Sequence, residues 1–337
     1  MTEKKQPPEF KKGFVLSHYR FERMIGQGGY GFIFVVHDIE DDKPYAMKVE
    51  KIVPNKQGLK PEIKFVPQIQ GSPYFPQCYD SGENELYRWI VYEILGSSLS
   101  FARWQMPHDK FSKYTALRSG IHMLKALEES HNRGIIHRDV KPGNFLLRPN
   151  HQYPIVLIDF GLSRRFKKPT GEIIPPREKI GFVGTSRYAS CSVYEGHEQS
   201  RGDDLISWFY SLIEILKGDL PFPQTKDKKK LLIIKRNLKP EKLCKGLPSQ
   251  LVDIWNLLQG IGYYDEPNYK RIYELIDEAI STLSHKDPEY DWNKLSKKKV
   301  KQISAIDFRD DEAENESVHV FETDKDISQG PPVCNIF

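Results

Sequence analysis

The pattern of apolar and polar positions changes character several times along the chain. Residues 1–18 are polar, lysine-rich and broken by Pro7 and Pro8, which predicts a flexible lead-in. From Phe21 the pattern becomes strand-like. The run Phe-Glu-Arg-Met-Ile-Gly-Gln-Gly-Gly-Tyr-Gly-Phe-Ile-Phe-Val-Val places a glycine-rich turn between two β-rich segments. After the polar turn at residues 40–43 comes a further segment, Pro-Tyr-Ala-Met-Lys-Val-Glu, and residues 88–99 read as a buried strand running into a connection. Residues 114–133 have apolar positions at 117, 121, 124 and 127, the spacing of a helix, and Gly134 is a plausible stop. Residues 205–216 are apolar on most faces, as a buried helix should be. Residues 307–326 are rich in Asp and Glu and show no apolar period, which predicts disorder.

The residues that carry chemistry concentrate between Ile135 and Arg164. The stretch reads Ile-Ile-His-Arg-Asp-Val-Lys-Pro-Gly-Asn-Phe-Leu-Leu and, after a turn, Ile-Val-Leu-Ile-Asp-Phe-Gly-Leu-Ser-Arg-Arg. It supplies a proton acceptor (Asp139), a cation two residues on (Lys141), an amide (Asn144) and a second carboxylate (Asp159). An Asp alone caps helices or sits in turns. Here His-Arg-Asp, an Asn five residues after that Asp, and Asp-Phe-Gly on a following strand occur in one register. The chain resembles the protein kinase superfamily in these motifs, with similarity from about residue 20 to 295.

That resemblance implies a bilobal α+β fold, with an N-lobe sheet plus helix over residues 19–95 and a mainly helical C-lobe over 96–285. Residues 286–337 would form a C-terminal extension and tail. It implies ATP and Mg²⁺ as cofactors. Asn144 and Asp159 offer oxygen ligands suited to Mg²⁺, a hard cation. Asp139 would accept the hydroxyl proton, and Lys141 would stabilise charge on the transferring phosphate. Gly26, Gly28, Gly29 and Gly31, flanked by Ile25 and Ile33, match the phosphate-covering loop, and a strand follows where a Rossmann turn would open a helix. Lys48 takes the third-strand lysine position, with Glu62 as its partner on the next helix. Pro61 suits that helix's first turn, and Pro67 is expected to end or kink it early. Ala46 and Leu146 would enclose the adenine, the Glu93 carbonyl and Leu95 N–H would bond its edge, and Tyr92 would sit at the gatekeeper position. Asp204 matches the residue that anchors the catalytic-loop backbone. His122 and His131 are expected to be surface or packing residues.

The branch is read from the activation segment. Where most protein kinases have Ala-Pro-Glu, this chain has Ser190-Cys191-Ser192. Its Gly-Thr-Ser-Arg-Tyr-Ala-Ser and Glu-Gln-Ser-Arg-Gly-Asp-Asp-Leu resemble the casein kinase 1 group, and residues 170–177 and 208–214 look nearest to its tau-tubulin kinase branch. Val183 stands where that branch tends to have Arg. Thr185 falls where a hydroxyl bonds the catalytic Asp and Lys. Arg187 falls at a position that receives an anion, so the expected partners are protein substrates with acidic or phosphorylated context. An Arg fork presents paired donors to such groups. Residues 226–230, Lys-Asp-Lys-Lys-Lys, either add to that site or form a solvated loop. Ser163 and Thr170 are the hydroxyls between Gly161 and Thr185, and activity without activation-loop phosphorylation is expected.

Composition narrows the setting. Charged residues at 28% and hydrophobic residues at 39% are ordinary for a globular protein, and a net charge of +4 is too mild to imply nucleic acid. Cysteines 78, 191, 244 and 334 form no close pair, which argues against a zinc site or disulfide framework. The N-terminal residues lack the apolar core of a signal peptide. A cytoplasmic monomer is expected. Cys334 and the residues after it, Asn-Ile-Phe, form a C-a-a-X pattern, a signal for geranylgeranylation that with the basic run at 296–301 would give reversible membrane association. The acidic stretch has a second reading, as an inhibitor folded onto the substrate groove. A pseudokinase scaffold is the rival function. It predicts loss of Lys48, Asp139, Asn144 or Asp159, and all four are present.

Overall fold

The computed structural model describes residues 10–28, 31–148 and 151–294. Strands β1 (Val15–Leu16), β2 (Tyr19–Gly28), β3 (Gly31–Asp38), β4 (Pro44–Lys51), β5 (Cys78–Glu83) and β6 (Tyr87–Tyr92) form one antiparallel sheet in the order β1-β2-β3-β4-β6-β5. Helix α1 (Lys60–Ile69) lies between β4 and β5 in the chain. Side chains alternate across a strand, so the sheet has two different faces. Phe34, Val36, Met47, Val49, Trp89 and Val91 fill an aromatic-rich core on one. The cross-strand partners Ile33, Lys48 and Ile90, with Val35, Ala46 and Tyr92 beside them, share the other. That second face carries the chemistry.

The larger lobe is helical. It contains α2 (Leu99–Trp104), α3 (Lys113–Asn132), α4 (Cys191–Tyr194), α5 (Arg201–Lys217), α6 (Lys228–Arg236), α7 (Pro240–Leu243), α8 (Gln250–Gln259) and α9 (Tyr269–Ser281). Short strands β7 (Ile135–Ile136), β8 (Phe145–Leu147), β9 (Ile155–Leu157) and β10 (Arg164–Arg165) pair as β7 with β10 and β8 with β9. The core is built on α3 against α5. Gly120 lets them approach, since a Cβ there would lie 2.9 Å from Leu212. The Trp208 indole N–H donates to the Gly120 carbonyl at 3.0 Å, which satisfies a buried polar group inside that contact. Gly134, at φ +75°, ends the α3 segment as its position predicts. This is the expected two-lobed α+β fold.

Two boundaries differ from expectation. The expected lead-in over 1–18 is folded from residue 10 onward. Phe10 is 1% exposed, stacked on Phe21 at 5.5 Å and packed on Phe34 and Tyr87, while β1 pairs with β2. Phe10 and Phe14 among lysines carry no strand or helix period, yet the Phe10 ring fills the gap over the sheet. At the other end, the C-lobe continues past residue 285. Tyr290 and Trp292 stack at 4.4 Å and are buried against the helical core, and the Asp291 carboxylate accepts from the Ser112 N–H at 2.6 Å. Gly29, the runs 296–301 and 307–326, and Cys334 lie outside the described residues.

Phe10→Ala should lower the unfolding free energy by about 3 kcal/mol, the usual loss for a fully buried Phe. Denaturant titration checks this, and an unchanged midpoint would show that residue 10 is dispensable.

Candidate active site

Lys48 is the centre of the cleft face. Its Nζ donates to Glu62 Oε2 at 2.6 Å and to Asp159 Oδ1 at 3.0 Å, so one ammonium ties β4, α1 and the Asp-Phe-Gly turn together. Burial alone would push the Lys48 pKa down, but Asp159 and Glu62 overcome this and hold it up. Burial raises Glu62, and the charge of Lys48 only partly offsets it. Asp159 is likewise pushed up by burial, but Lys48 holds it below the usual carboxylate range. The second Glu62 oxygen accepts the Tyr92 hydroxyl at 3.0 Å. The expectation that Pro67 ends or kinks α1 early is corrected in part, because the helix runs two residues beyond it to Ile69. A proline in the last turn forfeits only one helical bond, and Phe65, Val66 and Ile69 are buried and hold the turn in place.

The catalytic loop hangs from a carboxylate beneath it. Asp204, in the first turn of α5, accepts the backbone N–H groups of His137 (2.6 Å) and Arg138 (2.8 Å) and a bond from His131 Nε2 at 3.0 Å. These bonds release Arg138 into a left-handed conformation, φ +67°, which turns the chain and delivers Asp139 to the cleft. Asp139 is then fixed on both oxygens. Oδ1 accepts from the Thr185 hydroxyl at 2.7 Å. Oδ2 faces Lys141 Nζ and Asn144 Nδ2, each at 3.1 Å. Lys141 also donates to Thr185 Oγ1 at 3.1 Å, closing a ring of three side chains.

Asn144 and Asp159 fit a hard cation. The Asn144 amide nitrogen is committed to the Asp139 carbonyl (2.8 Å) and carboxylate, which leaves the amide oxygen to act as a ligand. Asp159 sits at φ +65° with its side chain 31% exposed, and one of its oxygens is used by Lys48. Phe160 holds that turn in place, packed edge-on against Phe75 (5.4 Å) and His137 (5.0 Å). Two neutral-to-anionic oxygen donors beside a proton acceptor suit Mg²⁺ and phosphate oxygens.

The other expected lining residues lie on β2, β3, β4, β8 and the connection after β6. Gly26, Gly28 and Gly31 flank the β2–β3 turn, with Ile25 before them and Ile33 opposite Lys48. Gly31 requires glycine, since at φ +147° a Cβ would meet the Val49 carbonyl oxygen at 2.5 Å. Ala46 lies beside Tyr92, and Leu146 on β8 bridges to Ser98. The connection carrying Leu95 is pinned on both sides, by Glu93 N–H to the Gln77 carbonyl (3.0 Å) and Gly96 N–H to the Leu147 carbonyl (2.7 Å). The Glu93 side chain pairs with Arg148.

Several contributions were not read from the sequence. His131 packs as expected but also bonds Tyr269 (2.5 Å) and Asp204. Ser190, at the missing Ala-Pro-Glu, caps α4 and bonds Asp203 at 2.5 Å. Lys235 is 3% exposed, and its Nζ donates to the carbonyls of Ser186 (3.0 Å), Arg187 (2.9 Å) and Ala189 (2.7 Å). It thereby fixes the backbone just after Thr185. A helical lysine four residues from buried Leu231 was its faint signal. Arg187, the expected anion receiver, is 9% exposed and binds Glu214 at 3.0 Å and Asp219.

Comparison with known proteins agrees with this geometry. Residues 19–290 match the protein kinase domain family. The chain belongs to the protein kinase family, as a serine/threonine-protein kinase domain. Its relatives place it with the casein kinase I group. Casein kinase I homolog RAG8 of Kluyveromyces lactis is 33% identical over 83% of this chain and 54% of its own length. The serine/threonine-protein kinase spe-6 of Caenorhabditis elegans is 32% identical over 86% and 81%. A protein of Dictyostelium discoideum named as a probable serine/threonine-protein kinase is 37% identical over 80% and 55%. The chain spans about half the length of the Dictyostelium and Kluyveromyces relatives.

Asp204→Asn should weaken the fold by about 3 kcal/mol at pH 7, as expected when a buried, fully bonded charge is removed. Burial pushes this carboxyl up, but His131 and the loop N–H groups hold it below its usual range. Its contribution is therefore complete above the ordinary carboxylate pKa of about 3.9 and fades as pH falls through the depressed folded value. The gap between wild type and variant should narrow in acid. A gap that stays constant in denaturant titrations at pH 7 and pH 3 would contradict this assignment.

Proposed function

We propose that this domain transfers the γ-phosphoryl group of ATP to serine and threonine hydroxyls of protein substrates. The observation that carries the reading is the Asp139 carboxylate, fixed by Thr185, Asn144 and Lys141 in the same cleft as the Lys48–Glu62 pair. Asp139 accepts the proton of the attacking hydroxyl as the oxygen–phosphorus bond forms. Lys141 offsets charge on the transferring group, and Lys48, oriented by Glu62, holds the nucleotide phosphates. Bound Mg²⁺, held through Asn144 and Asp159, supplies charge neutralisation across the phosphates. ADP leaves with the displaced electron pair. Lys48–Glu62 and Asp139–Thr185 are each joined by direct side-chain bonds, and we expect activity without activation-loop phosphorylation.

With γ-labelled ATP and casein, Asp139→Asn and Lys48→Met should each reduce incorporation by about 10²- to 10⁴-fold. Equal incorporation by wild type and both variants would overturn the assignment. ATP binding with no incorporation by wild type would favour the nucleotide-binding scaffold.

The finer reading is a preference for acidic or phospho-primed sites. Arg187 lies two residues past Thr185, with the exposed lysines 226, 229 and 230 in the chain segment entering α6. Glu214 is buried and also bonded by Tyr188, whereas the Asp219 side chain is 75% exposed. Asp219 is the solvent-facing member of that pair, so a substrate anion can take its place on the Arg187 fork. A primed peptide should therefore be used roughly tenfold better than its unprimed form, a change worth about 1.4 kcal/mol, and Arg187→Ala should erase the difference. Equal rates on both peptides would remove this reading. The finer likeness to tau-tubulin kinases rests on residues 170–177 and 208–214 and remains part of the same proposal.

A further inference from the structure

The second oxygen of Glu62 points to a role for Tyr92 that its place beside the adenine does not account for. Tyr92 ends β6, and its cross-strand partner is Ala46, two residues from Lys48 on the same face. From there its hydroxyl reaches α1 and donates to Glu62 Oε1 at 3.0 Å, while Lys48 donates to Oε2 at 2.6 Å. Glu62 is 2% exposed. Both of its oxygens are thus held by protein donors from two different strands, β6 and β4. The Lys48 bond alone would leave the carboxylate free to rotate about its own axis. Two donors on one carboxylate fix the rotamer. A buried carboxylate left with an unmet oxygen would also carry a desolvation penalty, which favours an outward swing of α1.

We propose that Tyr92 is a positioning residue for phosphoryl transfer, its hydroxyl clamping Glu62 so that α1 stays docked and Lys48 stays aimed at the nucleotide phosphates. The clamp is internal to the domain. It links the strand that enters the inter-lobe connection directly to α1. This inference rests on the kinase reading of Lys48 and Glu62.

Tyr92→Phe keeps the ring and removes only the donor. It should lower kcat/KM for ATP by about ten- to a hundredfold, the range for a hydrogen bond to a charged group, and leave KM for the protein substrate unchanged. It should also speed hydrogen exchange of the α1 amides. In a Glu62→Ala background the same change should have little further effect, because the oxygen that accepts the Tyr92 hydroxyl is already gone. A purely packing role for Tyr92 predicts no loss with Phe, or an equal loss in both backgrounds, and either result overturns the clamp. Lys48→Met, run in parallel, separates the two claims. If it is inactive while Tyr92→Phe is normal, the clamp alone fails. If it retains full activity, the kinase reading of Lys48 fails.

Discussion

A buried ammonium requires counter-charge, and that requirement organises the cleft. Lys48 is surrounded by the sheet on one side and α1 on the other, where an unpaired charge would be strongly destabilising. Glu62 and Asp159 resolve this together. In doing so they fix the distance between sheet and helix and the position of the turn that carries Asp159. Because Asp159 belongs to the C-lobe, the same pair of bonds joins the two lobes. An interaction that satisfies electrostatics locally therefore also aligns the sheet with the turn that carries Asp159.

The second half of the site is held by bonds to backbone. Asp204 takes two loop N–H groups, and Lys235 takes three carbonyls of the activation segment. One clamp precedes Asp139 and the other follows Thr185, and Asp139 and Thr185 bond each other between them. Such clamps work through main-chain groups that every residue has, so they constrain conformation whatever the neighbouring side chains are. They also account for a segment ordered without the Ala-Pro-Glu element, since Ser190 and Asp203 supply a polar contact at that point.

Much of this was legible in the sequence, because the catalytic groups have fixed spacing. Asp139, Asn144 and Asp159 lie within 21 positions of one another, and their order and spacing carry the resemblance that implies their roles. Lys48 and Glu62 were readable through the resemblance, as the third-strand lysine and a Glu on the helix that follows. What escaped was long-range pairing. Nothing near Lys235 in the chain announces the carbonyls of 186–189, and nothing near Tyr92 announces Glu62, since such contacts are set by how elements dock. Phe10 escaped for the same reason. It lies in a polar run with only Phe14 for aromatic company, and its value lies in a gap between distant strands. The effect of Pro67 was overestimated because the rule for helix interiors weakens in a final turn that packing already holds.

The most direct test is phosphoamino-acid analysis of casein incubated with γ-labelled ATP and this domain, after phosphatase treatment has cleared the domain of phosphate. Label on serine and threonine, absent with Asp139→Asn, is the predicted result. No label from the dephosphorylated wild type, or the same label from Asp139→Asn, would contradict a site assembled by its own internal bonds.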